Sequence, residues 1–130
     1  AACIPSANGV FTARALAGMY AALAGGGALG GVRLMSEKTL HRASTVQNRT
    51  IDRVIPFPMQ WRLGYHRPFL LGPSVRHAIG HFGFGGSGAW ADLDRNLSVA
   101  LTLNSGVGTP VGDLRIIRVS TAAARCADRR

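Results

Sequence analysis

The amino-acid sequence predicts an α+β fold in which the strands of an antiparallel sheet are packed by helices. Three observations carry that expectation. Leu16, Met19, Tyr20 and Leu23 recur at helical spacing early in the chain. Leu97, Val99, Leu101 and Leu103 alternate with Ser98, Ala100, Thr102 and Asn104, the period of a half-buried strand. Leu114, Ile117, Thr121 and Ala124 then return to a helical stripe.

Each element has its own signal. Ile4-Pro-Ser-Ala-Asn-Gly9 is turn chemistry. Thr12 is placed to cap a helix running to about Ala24, and Gly25-Gly26-Gly27 stops it. Ser36 caps a second, short helix through Glu37, Leu40 and Ala43. Val46 to Pro58 has no clean period, and Pro56 and Pro58 make it an extended loop. Trp61-Arg-Leu-Gly-Tyr65 alternates and is expected to be a strand. Pro68 to Pro73 is loop, and Arg76 to Phe84 is a further strand. Ala89 to Asp92 and Leu97 to Asn104 flank Leu93-Asp-Arg-Asn96 as a hairpin. Gly106, Gly108 and Pro110 end the pattern, and a last helix spans Gly112 to about Cys126. Arg115, Arg118 and Arg125 are expected in or near its later turns, where cations suit the helix dipole. The order is helix, short helix, strand, strand, hairpin, helix, with no repeat and no interdomain linker.

Composition removes several function classes. With 130 residues, 47% hydrophobic and 16% charged, the chain has material for one cored domain and is not a disordered tail. Its net charge of +9 comes from fourteen arginines and one lysine, Lys38, against six acids. The arginines are scattered, with only Arg129 and Arg130 adjacent, and neither a helix-turn-helix nor an RNP-like motif accompanies them. Nucleic acid is therefore not the expected partner. Ala15 to Val32 is uncharged, but its glycines interrupt any spanning helix, so no membrane span is expected. Cys3 and Cys126 lack C-x-x-C spacing; free thiols are the preferred reading, with a disulfide left open. The chain begins Ala1-Ala2-Cys3, without an initiator methionine or a signal-like start, and is expected to be a processed or engineered product or part of something longer.

Several motifs fail on context. Gly83-x-Gly85-x-x-Gly88 matches a dinucleotide fingerprint, but a hairpin follows it where phosphate binding needs a helix. Gly85-Gly-Ser87-Gly-Ala89 falls one glycine short of a nucleophile elbow and lacks the strand-to-helix turn. His77 and His81 stand four apart, too far along a strand for one small ion. His41 and His66 read as structural. No cofactor and no metal are expected.

Two longer segments resemble a known family. Pro5-Ser-Ala-Asn-Gly9, with Thr12 to Ala17 and Tyr20 to Ala24, is similar to a mid-to-late helix of the serine β-lactamase-like hydrolases. That group covers class C β-lactamase relatives, esterases, D-amino-acid peptidases and penicillin-binding-protein-like enzymes. Gly80-His-Phe-Gly-Phe-Gly-Gly-Ser-Gly-Ala-Trp-Ala-Asp and the strand through Asn104 resemble the family's third active-site motif and its hairpin. Gly31 to Ser36 and the closing helix also fit.

The resemblance implies a partial β-lactamase/transpeptidase-like fold and an acyl-transfer mechanism. In the family, the serine of a Ser-x-x-Lys motif attacks an ester or amide carbonyl, with the lysine and a Tyr-x-Asn-type tyrosine handling protons. The third motif, His-x-Gly here, maps onto His81, Phe82 and Gly83. His81 would hold the proton network, Gly83 would let substrate lie against the strand, and the Phe84 N–H would be one oxyanion donor, worth ~3 kcal/mol of barrier. Phe82, Gly85 and Ser87 are the implied substrate-binding positions. The departures are equally informative. Lys38 is the sole lysine and follows Met35 by three residues, so Ser-x-x-Lys is absent; neither Tyr20 nor Tyr65 starts Tyr-x-Asn. Residues 1–130 are thus expected to be the C-terminal portion of a serine hydrolase domain, inactive alone. Its partners would be an ester or amide substrate, and either the upstream segment or a second copy. A non-catalytic basic binding module on the same scaffold is the alternative.

Overall fold

The computed structural model describes residues 9–68, 71–106 and 113–129. Cys3, the opening turn before Gly9, Gly108, Pro110 and the expected helix start at Gly112 lie outside them. Helix α1 is Ala13–Ala24, and the Thr12 hydroxyl caps it by accepting from the Ala15 N–H at 3.1 Å. The N–H groups of Gly25 and Gly27 return to the carbonyls of Ala21 and Ala22 and close the helix. A two-residue hairpin follows, β1 (Ala28–Leu29) paired with β2 (Val32–Arg33), which periodicity did not predict. Helix α2, Glu37–Ser44, is capped by Ser36 as expected. After the long loop come β3 (Ile79–Phe82), β4 (Gly88–Asp92), β5 (Leu97–Leu101) and α3 (Leu114–Ala127).

The sheet is antiparallel in the order β3-β4-β5. Ile79 pairs with Ala91 and Phe82 with Gly88; Ala89 pairs with Ala100 and Trp90 with Val99. Pleating sends alternate residues to opposite faces. Ile79, Ala89, Ala91 and Ala100 pack with Tyr20 and Leu23 of α1, while Phe82, Trp90, Val99 and Leu101 pack with Ile116 and Ala124 of α3. Helices therefore cover both faces, and α1 approaches closely because the residues beneath it are mostly alanine. Trp90 is fully buried, and its Nε1–H donates to Ser120 Oγ at 2.8 Å, which locks α3 onto the sheet. Arg95 joins the β4–β5 turn to the α3 terminus: it donates to Asp92 and Asp128, both at 2.7 Å.

Three expectations are corrected. Trp61 to Tyr65 is not a strand. It turns, with the Arg62 N–H donating to the Tyr65 carbonyl at 2.8 Å and Gly64 at φ 80°, a region glycine enters freely. The strand expected from Arg76 starts only at Ile79, because a 3-10 turn at Pro73–Val75 precedes it and the buried Arg62 takes the carbonyls of Arg76 and Ala78. On α3 the buried stripe is Ile116, Ser120 and Ala124, whereas Leu114 is 69% exposed. Arg115 belongs to the first turn of that helix, where its guanidinium pairs with Asp113, the N-cap. Among the described residues no helix is long and apolar enough to cross a membrane. Cys126 is a free, exposed thiol.

Candidate functional site

Strand β3 positions the site. Ile79 faces α1, so His81, two residues on, shares that face, and Phe82 turns the other way. The Gly83 N–H donates to the Ser87 carbonyl at 2.8 Å, on the β4 side, and the Gly86 N–H donates back to the Gly83 carbonyl at 2.9 Å. These bonds close the turn leading into β4. Phe84 stands 66% exposed at its tip, and among the described residues its N–H has no acceptor. His81, Gly83 and the Phe84 N–H are thus brought together at one end of the outer strand.

The other expected positions fare differently. Phe82 is buried with Val75, Trp90 and Ile116, so its side chain packs into the core on the α3 side of the strand. Gly85 is exposed in the turn. The Ser87 hydroxyl accepts from the Leu103 N–H at 2.9 Å and fastens the turn to the chain after β5. That tie gives Ser87 a structural task.

The residue that sequence reasoning missed is His66. It forms a one-residue bridge to β3: its N–H donates to the Gly80 carbonyl at 3.2 Å, and the Gly80 N–H returns to its carbonyl at 3.1 Å. The bridge sets the buried His66 ring against His81, with Nε2 to Nδ1 at 3.0 Å. On its far side His66 Nδ1 lies 2.9 Å from the Arg67 carbonyl, and Trp61 packs edge-on with ring centroids 5.6 Å apart. Trp61 is itself held by its Nε1–H donating to Asp52 at 2.8 Å. Nothing local marks this assembly, since His66 and His81 are fifteen residues apart, with a loop between them.

The surroundings of both rings favour the neutral form. Burial lowers the His66 pKa, reinforced by nearby His81 and Arg62 and opposed by the Arg67 carbonyl. Burial also lowers that of His81. Tyr20 and Tyr65 meet edge to face at 6.2 Å beside this face of the sheet; burial, then the neighbouring Tyr65, pushes the Tyr20 phenol up to about 12. His77, weighed in the sequence only as a metal ligand beside His81, pairs with Asp94 at 2.8 Å on the surface. Among the described residues no cluster of metal-ligating side chains occurs. A separate hollow of about 640 Å³ lies toward the β4–β5 turn, at the other end of β3 from Gly83, lined by His41, Arg49, Arg62, Arg67, Arg76 and His77 among others.

An exposed histidine on an outer strand, a glycine two residues on and a turn N–H with no acceptor among the described residues thus stand next to one another at the end of β3. Residues 1–124 match the Beta-lactamase family. The chain belongs to that family. It is 39% identical over 102 residues to the Esterase/beta-lactamase LipL of Mycobacterium tuberculosis (strain ATCC 25618 / H37Rv), covering 78% of this chain and 23% of that protein. Among solved structures it is similar to a novel penicillin-binding protein homolog from Caulobacter crescentus, at TM-score 0.80 and 37% identity, over 89% of this chain and 32% of the other. It is also similar to a family VIII carboxylesterase, at TM-score 0.77 and 36% identity, over 85% and 30% respectively. The chain therefore spans 23–32% of the length of these proteins, and its fold is part of theirs.

Proposed function

We propose that this chain is one wall of an acyl-transfer site in a β-lactamase-family serine hydrolase acting on an ester or amide. The observation that supports the reading best is the grouping at one end of β3 of His81, Gly83 and the Phe84 N–H, which has no acceptor among the described residues. In this role His81 is a polar partner of the nucleophile and its tyrosine, accepting a hydrogen bond that holds their proton network in place. Gly83 leaves room for the substrate backbone along the strand. The Phe84 N–H donates to the developing oxyanion, as one of two such donors. The nucleophilic serine, its lysine and the tyrosine come from sequence outside residues 1–130, because no Ser-x-x-Lys occurs within them.

Exposed apolar side chains on α1 and the β1–β2 hairpin, including Met19, Leu29, Val32 and Leu34, are where the upstream portion or a second copy would dock. The test compares this chain alone with the chain joined to its upstream sequence, using p-nitrophenyl acetate and a fluorophosphonate probe. Turnover and labelling are expected only in the joined protein, on a serine outside residues 1–130. Labelling of any serine in the isolated chain would overturn the assignment.

A further inference from the structure

The hydrogen bonds around His66 determine which nitrogen of His81 carries a proton. A carbonyl oxygen only accepts, so the contact between His66 Nδ1 and the Arg67 carbonyl at 2.9 Å requires a proton on Nδ1. A neutral imidazole has one N–H, which leaves a lone pair on His66 Nε2. That lone pair faces His81 Nδ1 at 3.0 Å, so His81 must donate from Nδ1. His81 is then left with its lone pair on Nε2, on a residue exposed at the strand's α1 face.

The surroundings hold His66 in that state. Its backbone is bonded to Gly80 in both directions, its ring is 4% exposed, and Trp61 and His81 meet it at 79° and 89°. Rotation of the ring would break both of its polar contacts and leave buried polar groups unpaired inside a packed setting.

We propose that His66 is a positioning residue for His81: it fixes the Nδ1–H tautomer and aims a lone pair on Nε2 into the acyl-transfer site. The role rests on the function proposed above, although the tautomer does not. Without an acceptor at His66, His81 would favour the Nε2–H form that imidazole side chains adopt in water, and would offer a proton where the network needs an acceptor.

The decisive measurement is a long-range ¹H–¹⁵N correlation spectrum of the full 130-residue chain, at a pH above the ordinary imidazole value of about 6.5. The expected result is a protonated Nδ1 and an unprotonated Nε2 on His81. His66→Phe, which keeps an aromatic ring against Trp61, should shift His81 to the Nε2–H form. His66→Gln, whose amide oxygen accepts, should keep it in the Nδ1–H form. A protonated Nε2 in the wild-type chain would overturn the proposal, and so would an unchanged tautomer in a folded His66→Phe protein; the wild-type spectrum decides the matter even if that variant does not fold. In the enzyme completed by its upstream sequence, His66→Phe should lower kcat about 10²-fold with KM unchanged, the low end for a positioned proton-transfer group, and His66→Gln should recover most of it. The tautomer is read without substrate or nucleophile. Its failure would leave the proposed hydrolase reading standing, and an inactive completed enzyme would leave the tautomer standing.

Discussion

Nε2 of His66 lies 3.0 Å from Nδ1 of His81, and the two rings are perpendicular, with centroids 5.2 Å apart. One ring is buried in the bridge to Gly80 and the other is exposed on β3. The contact therefore links the protein interior to the outer face of the strand. Two imidazoles this close cannot both be charged cheaply, which gives the pair a pH signature.

Both rings have pKa values below the ordinary value, chiefly through burial, with Arg62 adding repulsion at His66. In the unfolded chain they bind protons below about pH 6.5, while the native state resists until lower pH. Unfolded chains thus hold more protons across that window. Stability rises with pH through it and is lost as pH falls. The melting temperature of the wild-type chain should decline between roughly pH 8 and pH 5, and more shallowly in His66→Gln, which removes one of the two groups. A wild-type melting temperature independent of pH over that range would contradict the neutral pair.

The buried bond from Trp90 Nε1 to Ser120 Oγ ties β4 to α3 at 2.8 Å, with both residues fully buried. Ser120→Ala leaves the indole N–H without an acceptor and should cost about 1–3 kcal/mol. In a Trp90→Phe background the same substitution orphans nothing, so its cost should shrink. Urea unfolding of the two singles and the double gives the coupling directly. Equal costs for Ser120→Ala in the two backgrounds would rule out the bond as the locking contact.

How much of this was legible in the sequence depends on the distance between partners. Helix α1 and the β4–β5 hairpin are legible because Thr12, the glycines after Ala24 and the alternation from Leu97 act within a few residues. The His81-Phe-Gly83 segment is legible only as a family resemblance. What is not legible depends on tertiary partners. Trp61, Leu63 and Tyr65 alternate like a strand, but Trp61 serves His66 and Asp52, Leu63 is 47% exposed, and Tyr65 meets Tyr20. Between them Arg62 is buried to hold two carbonyls, a task that no local pattern signals. His66 looked structural because its role exists only once β3 lies beside it. On α3 the stripe is displaced toward Ile116 and Ser120 because Trp90 requires a hydroxyl partner there.

Arg95 is a second tertiary clamp. Its Nη1 donates to Asp92, which is fully buried, and to the Ser74 carbonyl, while Nε reaches Asp128 at the end of α3. Asp128, then Asp92, raise its pKa and hold it charged. Arg95→Met would leave the Asp92 carboxylate buried with the Asp94 N–H as its remaining donor, and should destabilise the fold by about 3 kcal/mol. Asp92→Asn should recover part of that loss in the double variant, since no charge is then left buried. Chemical denaturation reads both values, and an Arg95→Met protein as stable as wild type would show that Asp92 does not need the guanidinium.

Gly80 is the point where the core and the site depend on one atom. A Cβ there would stand 2.5 Å from Trp90 Cβ and 2.6 Å from its Cα, within the adjacent strand. The same residue bonds His66 through both of its backbone groups. Gly80→Ala must push β3 away from β4, and overpacking of this kind costs about 1–3 kcal/mol. The displacement also loosens the bridge that seats the His66 ring. Amide hydrogen exchange should therefore accelerate at Gly80 and His66 together, while the β4–β5 hairpin stays protected, because Val99 and Trp90 still pair and pack on α3. If exchange at His66 is unchanged while the protein loses stability, the bridge does not seat the ring, and His66 is held by Trp61 and the Arg67 carbonyl alone.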